Sequence, residues 1–235
     1  ALPVRRTIHE EGTPELIALY AYIETADHVL RMNSYQELMN QLEEIKGERI
    51  LHCKLPECDE GEKWLIFAFY EQPALHKTGM GQYYVIDHLS KEGVKACEEY
   101  WDDIFTKYNY PSMESFFCDS LEYQVMMEWT PKLPEYFKKW RGYSILPYLS
   151  VVGLKVFFPA CDIPGYRFEN PKISDMINRD YFEVLTGCYC KNHLAVLEKM
   201  AEKYGKSIRY QVAYNKPFEG ERCPLFIEIP ENEAL

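Results

Sequence analysis

Ser90 is followed by a stretch, residues 91–108, whose Val94, Cys97, Trp101, Ile104 and Phe105 fall at spacings of three and four. That spacing gives one apolar face, the mark of an amphipathic helix with Ser90 as its cap. The compact apolar run at 115–118 comes next and stops at Asp119. A strand that passes through a polar loop into a helix, and then into another strand, favours parallel pairing. This rhythm recurs three times along the chain, with about four such units in all.

The expected elements follow from the same reading. Residues 16–24 read as a strand. Residues 34–47 read as a helix running from Ser34 to Gly47. Runs 49–55 and 63–71 read as two strands joined through "ECDEGE", which suggests a hairpin. Residues 81–90 make a strand ending in Asp87 and His88, and 115–123 another. A short helix over 131–143 stops at Gly142. A long one over 174–204 is expected to break near Gly187 and end at Gly205. Strands at 207–214 and 224–233 complete the chain.

The expected fold class is therefore α/β, with a (β/α)8 TIM-barrel type of catalytic domain. Such a barrel takes about 250 residues. This chain has 235 and spends some on the apparent hairpin near 49–71. Residues 1–235 are thus expected to be part of one barrel, with the remaining segments supplied by a longer enzyme chain.

Composition narrows the function classes. Hydrophobic residues make up 47% and charged residues 27%, enough apolar material for a sizeable core. The net charge of −11, with no Lys/Arg cluster, argues against nucleic acid as a partner. No apolar run approaches the roughly 20 residues of a membrane span, and "ALPVRRTIHEEG" has no signal-peptide pattern. The eight cysteines include one C-x4-C pair (Cys53, Cys58) and one C-x-C pair (Cys188, Cys190), without histidines in ligand spacing. That favours small buried side chains and a disulfide or two over a zinc site. Tyrosine is plentiful, at 19 residues, and offers flat apolar faces with a hydroxyl.

Several apolar runs end in polar groups: Asp87 with His88, Asp119 with Glu122, Gln211 with Tyr214, and Glu231 with Glu233. In a βα barrel all strand ends of one sense meet on one face. Two carboxyl groups meeting there suit glycosidic hydrolysis. One protonates the leaving oxygen, and the other activates water or attacks the anomeric carbon. Trp129, Tyr143 and Tyr214 would provide flat walls for a sugar ring.

The stretch "CDSLEYQVMMEWTPKLPEYFKKWRGYSILPYL" resembles α-L-rhamnosidases of glycoside hydrolase family 106. The likeness runs through Asp119, Ser120, Glu122, Trp129, Thr130, Phe137, Arg141, Gly142, Tyr143, Pro147, Tyr148 and Leu149. It continues at Arg209, Gln211, Tyr214, Pro230, Glu231 and Glu233, and "YYVIDHLSKEGV" is similar to the segment before them, so the likeness spans about residues 81–235. Ser144 and Ser150 depart from the pattern, which has Asp and Pro there. The resemblance implies hydrolysis of terminal α-L-rhamnosides of plant or microbial glycans, with inversion, near a calcium ion. It implies Glu122 and Glu231 as the catalytic pair with Glu233 in reserve. It implies a sugar site lined by Asp87, His88, Asp119, Trp129, Arg141, Tyr143, Gln211 and Tyr214. It favours a secreted or periplasmic enzyme. Two alternatives stand beside it: a carbohydrate-binding relative without turnover, consistent with Ser144, and a polysaccharide lyase, which His88 and Arg141 would permit.

Overall fold

The structure, a computed structural model, describes residues 2–3, 14–45, 47–74, 84–119, 125, 127–153, 165–212, 218–219 and 221–231. The first part of the chain holds β1 (Leu2–Pro3), β2 (Glu15–Ala26), β3 (Val29–Leu30), β4 (Gln36–Glu37), β5 (Leu42–Ile45), β6 (Glu48–Leu51) and β7 (Lys63–Glu71). Then come α1 (Lys91–Tyr108), β8 (Ser115–Cys118), α2 (Leu133–Arg141), β9 (Arg167–Phe168), α3 (Pro171–Cys188), α4 (Ala195–Lys203), β10 (Ser207–Tyr210) and β11 (Ile229–Pro230). None of the described helices is long and apolar enough to cross a membrane.

β2 is the spine of the first part. It pairs antiparallel with β7 along nearly its whole length, from Glu15 opposite Glu71 to Glu24 opposite Lys63. Its other edge takes β4 and β3, and β9 pairs parallel with β3. β2 is buried on both faces, which explains its nearly unbroken apolar run. Ala18, Tyr20 and Tyr22 face the main core, shared with Phe137, Phe168, Tyr181 and Leu185. Leu19 and Ala21 face a second, smaller core with Leu38 and Leu51. The Tyr22 hydroxyl donates to the Pro147 carbonyl, tying the strand to the segment after α2.

The second part carries the parallel sheet, in the order β8-β10-β11. Phe116, Ile208 and Tyr210 on one face join the main core, where Phe116 meets Trp101 and Phe105 of α1. Phe117, Arg209 and Ile229 are in register with one another on the opposite face. That face is open: Phe117 is 48% and Ile229 38% exposed.

Helix ends follow local chemistry. Ser90 Oγ accepts from the Gly93 amide at 2.9 Å and caps α1. Asn170 caps α3, with Pro171 at its first position. Gly142 ends α2 at φ +84°, a left-handed conformation that a Cβ would oppose.

Several expectations are corrected. Among the described residues there is no closed barrel. Three parallel strands form one sheet, and the longest pairing among the described residues, β2 with β7, is antiparallel. The helix expected over 34–47 is absent: 3-10 turns at Met32–Ser34 and Met39–Gln41 lead into β5. Leu38 is drawn beneath β2, and Gly47 at φ +79° turns β5 back onto β6. The 49–55/63–71 hairpin is therefore replaced. β6 pairs with β5, and the longer β7 pairs along its whole length with β2, which is longer still. Residues 85–90 are loop and turn rather than strand, since Asp87 and Ser90 serve the start of α1. The helical stretch runs through Gly187 unbroken. It changes to a π-helical turn at Tyr189–Leu194 before α4. Residues 223–226 form a 3-10 turn, and among the described residues of that run only Ile229–Pro230 is strand.

Candidate active site at the parallel strand ends

Cys118, Tyr210 and Pro230 are in register at the carboxyl ends of β8, β10 and β11. The next residue of each strand is Asp119, Gln211 and Glu231. The ladder continues into them: Gln211 N donates to Cys118 O at 3.2 Å, and Glu231 N to Tyr210 O at 2.9 Å. Parallel strands lie about 4.8 Å apart, so the first and third of these backbones are about 10 Å apart. Carboxylates carried there can reach the roughly 6.5–9.5 Å separation used by inverting glycosidases, with a polar amide between them.

Alternation along β10 places Arg209 on the same face as Gln211. Arg209 Nε donates to Glu231 Oε1 at 2.5 Å, and its guanidinium lies 5.7 Å from the Phe117 ring centre. The carboxylate is thereby held in one orientation by a charge-assisted bond. Gln211 Oε1 is buried and has no hydrogen-bond partner among the described residues. A buried acceptor in that condition is costly unless something donates to it, and a sugar hydroxyl is a donor of the right kind.

Asp87 and His88 sit in a different setting. Asp87 Oδ1 accepts from the Leu89 amide at 2.9 Å, and Oδ2 from the Thr130 hydroxyl at 2.7 Å. Asp87 thus fixes the loop before α1 to the segment before α2. His88 is buried, its ring 4.7 Å from that of His193 in an edge-to-face contact. Burial pushes the His88 imidazole down to about 4. Burial also holds His193 well below its ordinary range, with His88 adding to the effect. His193 Nε2 and the Tyr210 hydroxyl are 2.9 Å apart, so this pair of neutral imidazoles reaches the core side of β10.

Trp129 Nε1 donates to Glu71 Oε2 at 2.8 Å, anchoring the indole at the end of β7. Arg141 forms ion pairs with Asp180, at 3.8 Å, and with Glu183 on α3. The Tyr143 hydroxyl donates to Asp180 Oδ2 at 2.9 Å. Burial, and then this bond to Asp180, pushes the Tyr143 phenol above its ordinary range. Ser144 Oγ accepts from the Leu146 amide at 3.3 Å, so it shapes a turn.

Of the residues singled out in the sequence, the structure brings Asp119, Gln211 and Glu231 to one edge. Arg141 and Tyr143 meet at Asp180. Asp87 bonds the neighbour of Trp129. Glu122, Tyr214 and Glu233 lie outside the described residues. Sequence reasoning missed Arg209 as a site residue, although its two-residue spacing from Gln211 was a usable signal. It also missed Glu71, Asp180 and His193, whose roles depend on long-range contacts with no local signature.

Among the described residues, one group of three has ligand atoms within 4.8 Å of one another: Glu24, Asp27 and His28. Glu24 is already engaged by Lys63 at 2.7 Å, and one imidazole with two carboxylates falls short of the six to eight oxygens calcium takes. These residues do not fit calcium.

Comparison with known proteins bears on the whole arrangement. A search of curated proteins gives no match. Among solved structures, a rhamnosidase from Novosphingobium sp. PP1Y is similar, with a TM-score of 0.58 and 17% sequence identity. The match covers 85% of this chain and 19% of that one, so the chain spans about a fifth of the relative's length. At that identity the likeness speaks to fold. The model of the alpha-L-rhamnosidase family matches residues 70–219, well over half of the chain and inclusive of Asp87, Asp119, Arg141 and Gln211. The chain therefore belongs to the alpha-L-rhamnosidase family, glycoside hydrolase family 106.

Proposed function

We propose that this chain is part of the catalytic domain of a glycosidase that hydrolyses terminal α-L-rhamnosides, the sugar edge being the carboxyl ends of β8, β10 and β11. The observation that carries the reading is the register of Asp119, Gln211 and Glu231 across three parallel strands. In this reading β8, β10 and β11 are three neighbouring strands of a (β/α)8 barrel. The open face of Phe117, Arg209 and Ile229 then looks into the barrel, which other segments of a longer enzyme complete.

Glu231, oriented by Arg209, acts as the carboxylate that deprotonates the attacking water. Glu122, three residues beyond Asp119, donates the proton to the departing glycosidic oxygen. One group gives a proton as the other takes one, so the net charge of the pair is unchanged when the bond breaks. Inversion, with a water held beside the sugar, needs these two carboxyl groups about 6.5–9.5 Å apart. Gln211 Oε1 accepts from a ring hydroxyl. The substrates in this reading are rhamnose-capped plant or microbial glycans, met by a secreted or periplasmic enzyme.

The test is hydrolysis of nitrophenyl α-L-rhamnoside by the intact protein and by its Glu231→Gln and Glu122→Gln variants. Loss of a positioned acid or base lowers kcat by about 10²–10⁴-fold. Near-normal kcat in both variants, with the circular dichroism spectrum unchanged, overturns the assignment. Sugar binding without turnover by the unmodified protein overturns the activity itself.

A further inference from the structure

Cys190 lies in the π-helical turn and Cys223 in the 3-10 turn ahead of β11. Both are fully buried, and their sulfurs are 3.8 Å apart. Two further contacts dock the same segments on one another. The Phe218 ring stacks on Tyr189 with centroids 4.9 Å apart and planes 9° from parallel. The Glu219 amide donates to Thr186 Oγ1 at 3.2 Å. Cys188 points elsewhere. Two helical residues reverse the direction of a side chain, and Cys188 feels Asp87 and the α2 side rather than Cys223.

We propose that Cys190 and Cys223 form a disulfide that staples the segment 218–227 to the π-helical turn and thereby fixes the approach of β11 to β10. A disulfide needs about 2.05 Å between sulfurs, a closure of roughly 2 Å that two side-chain rotations share. The oxidant is a small-molecule disulfide or a disulfide-exchange protein. The Cys190 thiolate attacks one sulfur of the donor, forms a mixed disulfide and releases one thiolate. The Cys223 thiolate then attacks the Cys190 sulfur and releases the second. Two electrons pass to the donor, and the two protons from the protein thiols end on the two leaving thiolates. Because both sulfurs are buried in the docked state, exchange takes place before the segment 218–227 seats. The consequence for catalysis rests on the proposed role of Glu231, which follows Cys223 by eight residues; the crosslink itself does not.

The test is peptide mapping of the intact protein after equilibration with oxidised glutathione, alkylation and digestion without reductant. A crosslinked peptide joining Cys190 to Cys223 is expected, with fragmentation separating Cys190 from Cys188. Reduction is expected to lower the unfolding midpoint by about 8–15 °C, the scale for a closed loop of this length in a domain of this size. The Cys190→Ser and Cys223→Ser variants should lack that response. Separate alkylation of both cysteines after oxidation overturns the proposal, as does a bond from Cys188 in place of Cys190. Either result leaves the rhamnoside assay, and the reading of Glu231, untouched.

Discussion

Acid should loosen this protein through its two buried imidazoles. His88 and His193 meet edge to face with ring centres 4.7 Å apart, both inside the core. Protonating either one places a charge in a low-dielectric region beside a second base. Burial takes His88 from its ordinary 6.5 down to about 4, a depression of about 2.5 units. At 1.36 kcal/mol per unit that is worth about 3 kcal/mol. The sign follows from proton counting. Between about pH 6.5 and 4 the unfolded chain binds a proton at this position and the folded chain does not. Stability is therefore full above the unfolded value and falls as the pH drops toward 4. Carboxylates contribute in the lower part of the same window, so the comparison must isolate the histidine. His88→Gln retains an amide donor and removes the titration. Urea unfolding of the intact protein at pH 7, 6, 5 and 4, followed by tryptophan fluorescence, gives the two profiles. The unmodified protein should lose about 3 kcal/mol more than the variant across that range, or about 6–12 °C in thermal midpoint. Parallel profiles would refute the reasoning and place the burden of acid sensitivity on the carboxylates.

Three further outcomes are expected. A Cβ at Gly93 would lie 2.3 Å from the Asp87 carbonyl oxygen, so Gly93→Ala should cost about 1–3 kcal/mol despite the gain in helix propensity, read by thermal unfolding. At Gly187 a Cβ would lie 2.6 Å from the Trp140 ring, which must swing off α3. Gly187→Ala should destabilise by about 1 kcal/mol and red-shift the indole emission. Tyr210→Phe removes the partner of His193 Nε2 and should lower stability by about 1–3 kcal/mol in chemical denaturation, whereas an unchanged midpoint would mean the imidazole finds another partner.

What could be read from the chain was what local rules decide. The α1 helix, its Ser90 cap, the Gly142 stop and the run at 115–118 each rest on residues within a turn of one another. So do β10 and the acids that close the strand ends. What could not be read depended on partners far away in sequence. Residues 34–47 have a plausible helical start, yet Leu38 is worth more beneath β2, where it packs with Leu19 and Leu51. β7 passes over its neighbour β6 because only β2 is long enough to match it. Gly187 looks like a helix break, but its bareness admits the Trp140 ring, and the helix continues past it. At the site, Asp119, Gln211 and Glu231 were visible as strand ends. Arg209 and His193 matter through the third dimension.

The two faces of β10 explain how an edge with so few residues can be accurate. Ile208 and Tyr210 point into the main core, while Arg209, in register with the exposed Phe117, points to the open face. A slip of one residue would exchange the two sets, burying a guanidinium and exposing Ile208. The Tyr210 hydroxyl adds a directional constraint by engaging His193, and the ladders from β8 and β11 fix the strand on both sides. Gln211 is the residue immediately after that anchor, and Glu231 is tied to the same point through its amide and through Arg209. The position of Glu231, the candidate base, is thus set from behind, by the packing of β10 against α4 and the π-helical turn. A substitution in that buried layer should disturb kcat before it disturbs sugar affinity, since misplacing a proton-transfer group by about 1 Å costs roughly 10²-fold in rate.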